Sequence, residues 1–163
     1  MPKSKNAPEQ RVKEATEETM DFSGQISHSL DDKNRVIIPQ PFREGLGKEF
    51  RVVISSRDTL YLMPLSEWRR LQQQLAELEE RDPVQGRAVA ERMRAYSALV
   101  EADRNWRVLI PKDLREKAGL KKQVVSIGQG NKVELMDKEF YEREVAPSLD
   151  SDATKRAQRL MGW

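Results

Sequence analysis

The sequence predicts an α+β fold in which a duplicated β unit packs into one barrel-like core with helices at its periphery. Three observations predict it. "DDKNRVIIPQPFRE", residues 31–44, returns as "DRNWRVLIPKDLRE", residues 103–116. Short stretches rich in β-branched or alternating apolar residues flank both copies. Between the copies lies a long stretch with apolar residues at three- and four-residue spacing, the period of a helix packed on one side.

In chain order, residues 1–21 mix Lys, Arg and Glu with Pro, Thr and Asn without apolar period, and read as a disordered extension. From Phe22, "FSGQISHSLD" alternates Ile26, His28 and Leu30 against Gln25, Ser27 and Ser29, as a half-buried strand does. "DKN" supplies a turn and "RVIIP" a second strand ended by Pro39, which has no N–H for a ladder, so the two are expected to pair as a hairpin. "PFREGLG" forms a turn or two of helix stopped by Gly47. "FRVVIS" and "LYLM" are further strands. Ser66 is placed as the cap of a helix carrying Trp68, Leu71, Leu75 and Leu78 on one face. Asp82-Pro83 breaks that helix and starts another over residues 83–98, with Val84, Ala88, Met93 and Tyr96 apolar, giving an antiparallel helical hairpin.

Sliding the chain by 72 positions pairs Asp31 with Asp103, Arg35 with Arg107, Val36 with Val108, Ile38 with Ile110 and Pro39 with Pro111. Arg43, Glu44 and Gly47 meet Arg115, Glu116 and Gly119, and a one-residue shift then aligns "LYLM" with "VELM". Matched Pro and Gly punctuation marks a duplicated supersecondary unit. One such unit cannot cover both faces of its own sheet, so the copies are expected to share a core.

Composition narrows the function. Of 163 residues, 37% are hydrophobic and 34% charged, with no Cys and a net charge of +2. A disulfide framework and thiolate metal sites are therefore excluded, and the small charge excess permits nucleic-acid binding without announcing it. No apolar run reaches membrane-spanning length and the N-terminus lacks the apolar centre of a signal peptide, so a cytoplasmic protein without a membrane partner is expected. Neither a nucleophile with its base, nor a metal cluster, nor a phosphate loop is found. The reading is of a non-enzyme with no cofactor and no small-molecule substrate. The lone histidine, His28, reads as a hydrogen-bonded sheet residue, and "GQGNK", residues 128–132, as a turn. Trp68 and Tyr141, at matching positions of the two copies, read as core or subunit-contact residues.

The chemistry sits in the doubled Asp-x-x-x-Arg. At this spacing Asp31 and Arg35, and likewise Asp103 and Arg107, lie on either side of a tight turn and can clasp one another. The simpler reading is that the clasp only closes the turn, an exposed pair contributing at most about 1 kcal/mol. The functional reading is that each carboxylate orients a guanidinium for a phosphate or a base edge, with a planar fork that Lys cannot reproduce. Lys33 is then placed at phosphate. Asn34 and Arg104, in the same two turns, complete the candidate set.

These residues resemble a known family. "LDDKNRVIIPQPFRE", "YLMPLSEWRRL", "DPVQGRAVAERM", "DRNWRVLIPKDLREKAGL" and "GQGNKVELMDKEFY" are similar, in the same order, to the MraZ proteins, bacterial transcription regulators with two SpoVT-AbrB-type modules. The resemblance covers roughly residues 22–144. It implies an AbrB-like core with swapped hairpins, with modules over residues 25–67 and 97–140, a linking helical hairpin over 68–96 and a C-terminal tail over 145–163. It implies a homo-oligomeric ring in the cytoplasm, associated with the nucleoid, that represses the division and cell-wall gene cluster. The ring would bind double-stranded DNA at short G-rich direct repeats in the promoter. Family members usually begin just before the segment matched by Phe22-Ser23-Gly24, which makes Met20 the expected start.

They also usually have Gly before the motif arginine, where Asn34 and Trp106 stand here. Asn accepts the left-handed conformation and an aromatic residue resists it. The second turn is therefore expected to change shape and re-aim Arg107, leaving DNA reading to the first module and ring building to the second. A rival of a different class is a ring-forming scaffold or antitoxin-like module whose arginines grip an acidic protein.

Overall fold

A computed structural model describes residues 21–163. Of the disorder expected over residues 1–21, all but Asp21 lies outside them, as does the start expected at Met20. Among the described residues eight strands form: β1 (Gln25–Ser29), β2 (Arg35–Ile37), β3 (Glu49–Ile54), β4 (Leu60–Met63), β5 (Ser97–Glu101), β6 (Arg107–Leu109), β7 (Gln123–Gly128) and β8 (Val133–Asp137). The helices between them are α1 (Gln40–Leu46), α2 (Leu65–Arg81), α3 (Pro83–Ala95) and α4 (Lys112–Lys117). The fold is mixed α+β with antiparallel sheets.

The pairing departs from the expected hairpin. β1 pairs not with β2 but with β7, with His28 opposite Val124, and β2 pairs with β6, with Val36 opposite Val108. In the second copy, β5 leaves β6 and pairs with β3, Phe50 opposite Val100. Each copy thus gives its first strand to the sheet of the other. The main sheet runs β1-β7-β8-β4-β3-β5, an order that reads as two equivalent halves about the central β4–β8 pair. Nor does a barrel close. β1 and β5 are the two edges of an open six-stranded sheet, and the three-residue β2 and β6, occupied with one another, do not join those edges.

One apolar core runs through both copies. Val36, Ile38 and Phe42 from the first pack with Val108, Ile110 and Leu114 from the second, all at most 1% exposed. The backbone of α1 ends at Gly47, whose φ of 74° is cheap only without a Cβ, and its N–H donates to the Arg43 carbonyl at 2.9 Å. On the central strand pair Tyr61 faces Glu134, so the internal symmetry breaks there. Burial pushes the Glu134 carboxyl up, but the Arg57 fork, at 2.9 and 2.7 Å, and the Thr59 hydroxyl outweigh it and hold it below the ordinary value. His28 donates to or accepts from the Ser126 hydroxyl at 2.7 Å, and burial lowers its pKa, as fits a sheet residue. "GQGNK" turns from β7 into β8, and Gln129 N–H bonds the Lys132 carbonyl at 2.8 Å.

Several helix boundaries differ from expectation. α2 begins at Leu65 behind Pro64, and Ser66 makes no capping bond because it already lies inside the first turn. α3 ends at Ala95 where β5 takes over, so Tyr96 and residues beyond it leave the helix. Asp82 caps α3, accepting the Gln85 N–H at 3.1 Å. The apolar face of α3 is also turned: Gly86 and Ala90 are buried while Val84 is 80% exposed. Residues read as the tail hold further helix, α6 (Ala146–Leu149) and α7 (Asp152–Leu160), after the short α5 (Lys138–Phe140) and a wider turn over Tyr141–Val145. Among the described residues no helix is long and apolar enough to cross a membrane.

Candidate nucleic-acid interface

Strand alternation builds this surface. In the β2–β6 ribbon Val36 and Val108 point into the core at 0% exposure, which sends Arg35, Ile37, Arg107 and Leu109 to the other face. Register puts Arg35 opposite Leu109 and Ile37 opposite Arg107. The arginines are therefore diagonal neighbours, and so are the two aliphatic residues.

Each arginine is held by its own turn. Asp31 Oδ1 accepts the N–H groups of Lys33 at 2.9 Å and Arg35 at 2.8 Å, and its Oδ2 accepts Arg35 Nε at 2.7 Å. Asp103 repeats this with Asn105 at 2.8 Å, Arg107 N–H at 3.0 Å and Arg107 Nε at 2.8 Å. The backbones match as well: Asp31 N–H to the Arg35 carbonyl at 2.9 Å and Asp103 N–H to the Arg107 carbonyl at 3.0 Å. The backbone N–H of Arg35 is the main cause holding the Asp31 carboxyl below the ordinary aspartate value, and the backbone N–H of Arg107 does the same for Asp103. Both carboxylates stay ionised at neutral pH and fix Nε. Among the described residues no acceptor takes the Nη hydrogens of Arg35 or Arg107, so each fork keeps its outer donors for a ligand.

The expected change of shape in the second turn does not occur. Asn34 has φ 60° and Trp106 φ 61°, so the aromatic residue adopts the same left-handed conformation and Arg107 is not re-aimed. What makes this tolerable is packing. The Trp106 ring lies against the apolar core, with Lys48 Nζ 4.1 Å and Arg43 Cζ 5.5 Å from its centroid. Lys48 also donates to the Asp103 carbonyl at 2.9 Å. The surface on which the indole lies is supplied by its own chain.

Of the other sequence candidates, Lys33, Asn34 and Arg104 are exposed at the two turns, with Lys33 and Asn34 on one and Arg104 on the other. Trp68 is half-buried beneath Arg51 at 4.5 Å, and the Tyr141 hydroxyl donates to Gln25 at 2.7 Å. Sequence reasoning missed Ile37, Leu109 and Lys48. Continuing the alternation outward from Val36 and Val108 would have found the first two; for Lys48 there was no local signal. Among the described residues no group of acidic or histidine side chains could hold a metal ion.

With this geometry in place, comparison with known proteins is informative. A family model described as "MraZ protein, putative antitoxin-like" matches residues 22–89 and 93–162, one segment over each copy. A transcriptional regulator MraZ of Acetivibrio thermocellus is 42% identical over 139 residues, covering 83% of this chain and 96% of that protein. One from Pelotomaculum thermopropionicum is 40% identical over 146 residues, covering 86% and 99%. One from Clostridium beijerinckii is 35% identical over 144 residues, again covering 86% and 99%.

Proposed function

The chain belongs to the MraZ family, and on that premise we propose that it is a transcriptional regulator reading double-stranded DNA with the β2–β6 ribbon. The observation that carries this reading is the pair of half-buried guanidiniums, Arg35 and Arg107, each aimed by its own aspartate and each with free outer donors on the side of the ribbon turned away from the core. A two-stranded ribbon fits the major groove, where an arginine fork matches the O6 and N7 of guanine. Diagonal residues of an antiparallel pair are about 7–8 Å apart. That is roughly two base-pair steps of about 3.4 Å. The internal twofold gives one fork to each DNA strand. Asp31 and Asp103 act as positioning residues, and Lys33, Asn34 and Arg104 meet the backbone beside the bases.

The family resemblance extends the proposal. The two copies, residues 25–67 and 97–140, are SpoVT-AbrB-type modules joined through 68–96. Several chains form a ring whose ribbons engage successive G-rich promoter boxes, repressing the division and cell-wall gene cluster on the nucleoid. Effective concentration along the repeats compensates for the net charge of only +2.

Fluorescence anisotropy on the chain's own upstream promoter duplex, against a random duplex of equal length at one salt concentration, tests the reading. Arg35→Ala and Arg107→Ala should each weaken specific binding by comparable factors, about 1–3 kcal/mol per lost bidentate contact, without moving the melting temperature much. Undiminished binding by either variant, or equal affinity for the two duplexes, overturns it. The antitoxin-like wording of the family description favours one rival, an acidic protein gripped by the same arginines. That rival predicts an arginine-dependent protein partner and no preference for the promoter.

A further inference from the structure

The two aliphatic residues between the arginines are not used by anything described so far. Ile37 is 44% exposed and Leu109 57%, although Val36 and Val108 beside them are at 0%. They are directly opposite Arg107 and Arg35, so each guanidinium shares its ribbon position with one apolar side chain. Resting on the DNA-reading role proposed above, we propose that Ile37 and Leu109 read the 5-methyl groups of thymines next to the guanines that the arginines contact.

The chemistry of the groove supports this occupant. At the step beside a guanine, the major groove presents polar groups for every base, and thymine alone adds a methyl. An aliphatic side chain pressed on N4 of cytosine or N6 of adenine leaves a desolvated donor without a partner, whereas on thymine it removes apolar surface from water. Preference follows from both terms. A second copy of this chain is the poorer occupant for the same patch. Two isolated aliphatic side chains fall far below the ~1,200 Å² that stable interfaces bury. They are also flanked on their own face by Arg35 and Arg107, whose outer donors call for hydrogen-bond acceptors that an apolar partner face does not offer.

Replacing thymine by deoxyuridine removes only the methyl group, which allows a test on the unaltered protein. With a promoter duplex carrying single dT-to-dU replacements, affinity should fall about three- to fivefold at each contacted thymine, the transfer value of roughly one methylene. Ile37→Ser and Leu109→Ser should bind the dT duplex more weakly and lose the distinction at their own step. Equal affinity of the native protein for dT and dU duplexes overturns the inference, as does a dU effect that survives both substitutions. A drop in oligomer mass by light scattering in the serine variants assigns the patch to a subunit contact and also overturns it. Arginine-dependent binding that ignores dU defeats this inference alone, whereas promoter binding indifferent to both arginines defeats the DNA-reading role along with it.

Discussion

Trp106 shows how a residue can violate a local rule and still be well placed. Its left-handed conformation costs an L-residue about 1–2 kcal/mol. A fully buried aromatic side chain covers about 150–250 Å², so a half-buried one contributes about 2 kcal/mol at ~25 cal/mol/Å². The Lys48 and Arg43 cations over the ring contribute about 0.5–1 kcal/mol each. Packing wins by a small margin. Trp106→Gly should therefore relieve the backbone yet lower stability by about 1–2 kcal/mol, measurable as a lower urea midpoint; an unchanged or raised midpoint means that the ring is dispensable. The Asp-x-x-x-Arg clasp was legible in the sequence because turn, carboxylate and guanidinium lie within five residues. The conformation of Trp106 was not, because the groups that offset its strain come from α1 and the residues just after it.

Among the elements, strand alternation was legible and strand partnership was not. The alternation of Ile26, His28 and Leu30 correctly marks β1, but it fits any antiparallel neighbour, and the chosen one, β7, lies about a hundred residues away. Proximity in sequence made β2 the obvious candidate. The helical hairpin misled in a different way, since glycine carries no apolar side chain and Gly86 gave no sign of facing α2. A Cβ at Gly86 would sit 2.6 Å from the backbone N and Cα of Glu79. Alanine ordinarily favours a helix over glycine by about 1 kcal/mol. Here the forced separation of α2 from α3 costs about 1–3 kcal/mol, so Gly86→Ala should lower the melting temperature. A rise would mean that the two helices part without penalty.

For the whole molecule, strand exchange makes the copies inseparable. β3 has β5 as its outer neighbour and β7 has β1, so either half taken alone exposes an unpaired strand edge and half a core. A chain cut between Asp82 and Pro83 should behave accordingly. Expressed separately, residues 21–82 and 83–163 should lack cooperative unfolding by circular dichroism; expressed together, they should purify as one folded pair. A half that unfolds cooperatively alone would show that exchange is incidental to folding. The duplication was legible from the matched Pro and Gly positions, which announce two equal units. Repeat spacing by itself carries no information about which copy a strand joins or whether the sheet closes, so the exchange was implied only by the family resemblance and the open sheet by nothing in the sequence.

The near-identity of the two turns has a bearing on orientation. A ribbon with a perfect twofold presents the same contacts when rotated end for end, and so cannot tell which way a DNA box runs. Here the clasped arginines match, but one tip carries Lys33 and Asn34 and the other Asn105 and the Trp106 ring pinned by Lys48. Because both copies lie in one chain, the two tips can differ while the central pair of forks is common. The ribbon therefore has a head and a tail, and under the proposed DNA-reading role chains facing the same way along repeated boxes would each meet their box in the same sense.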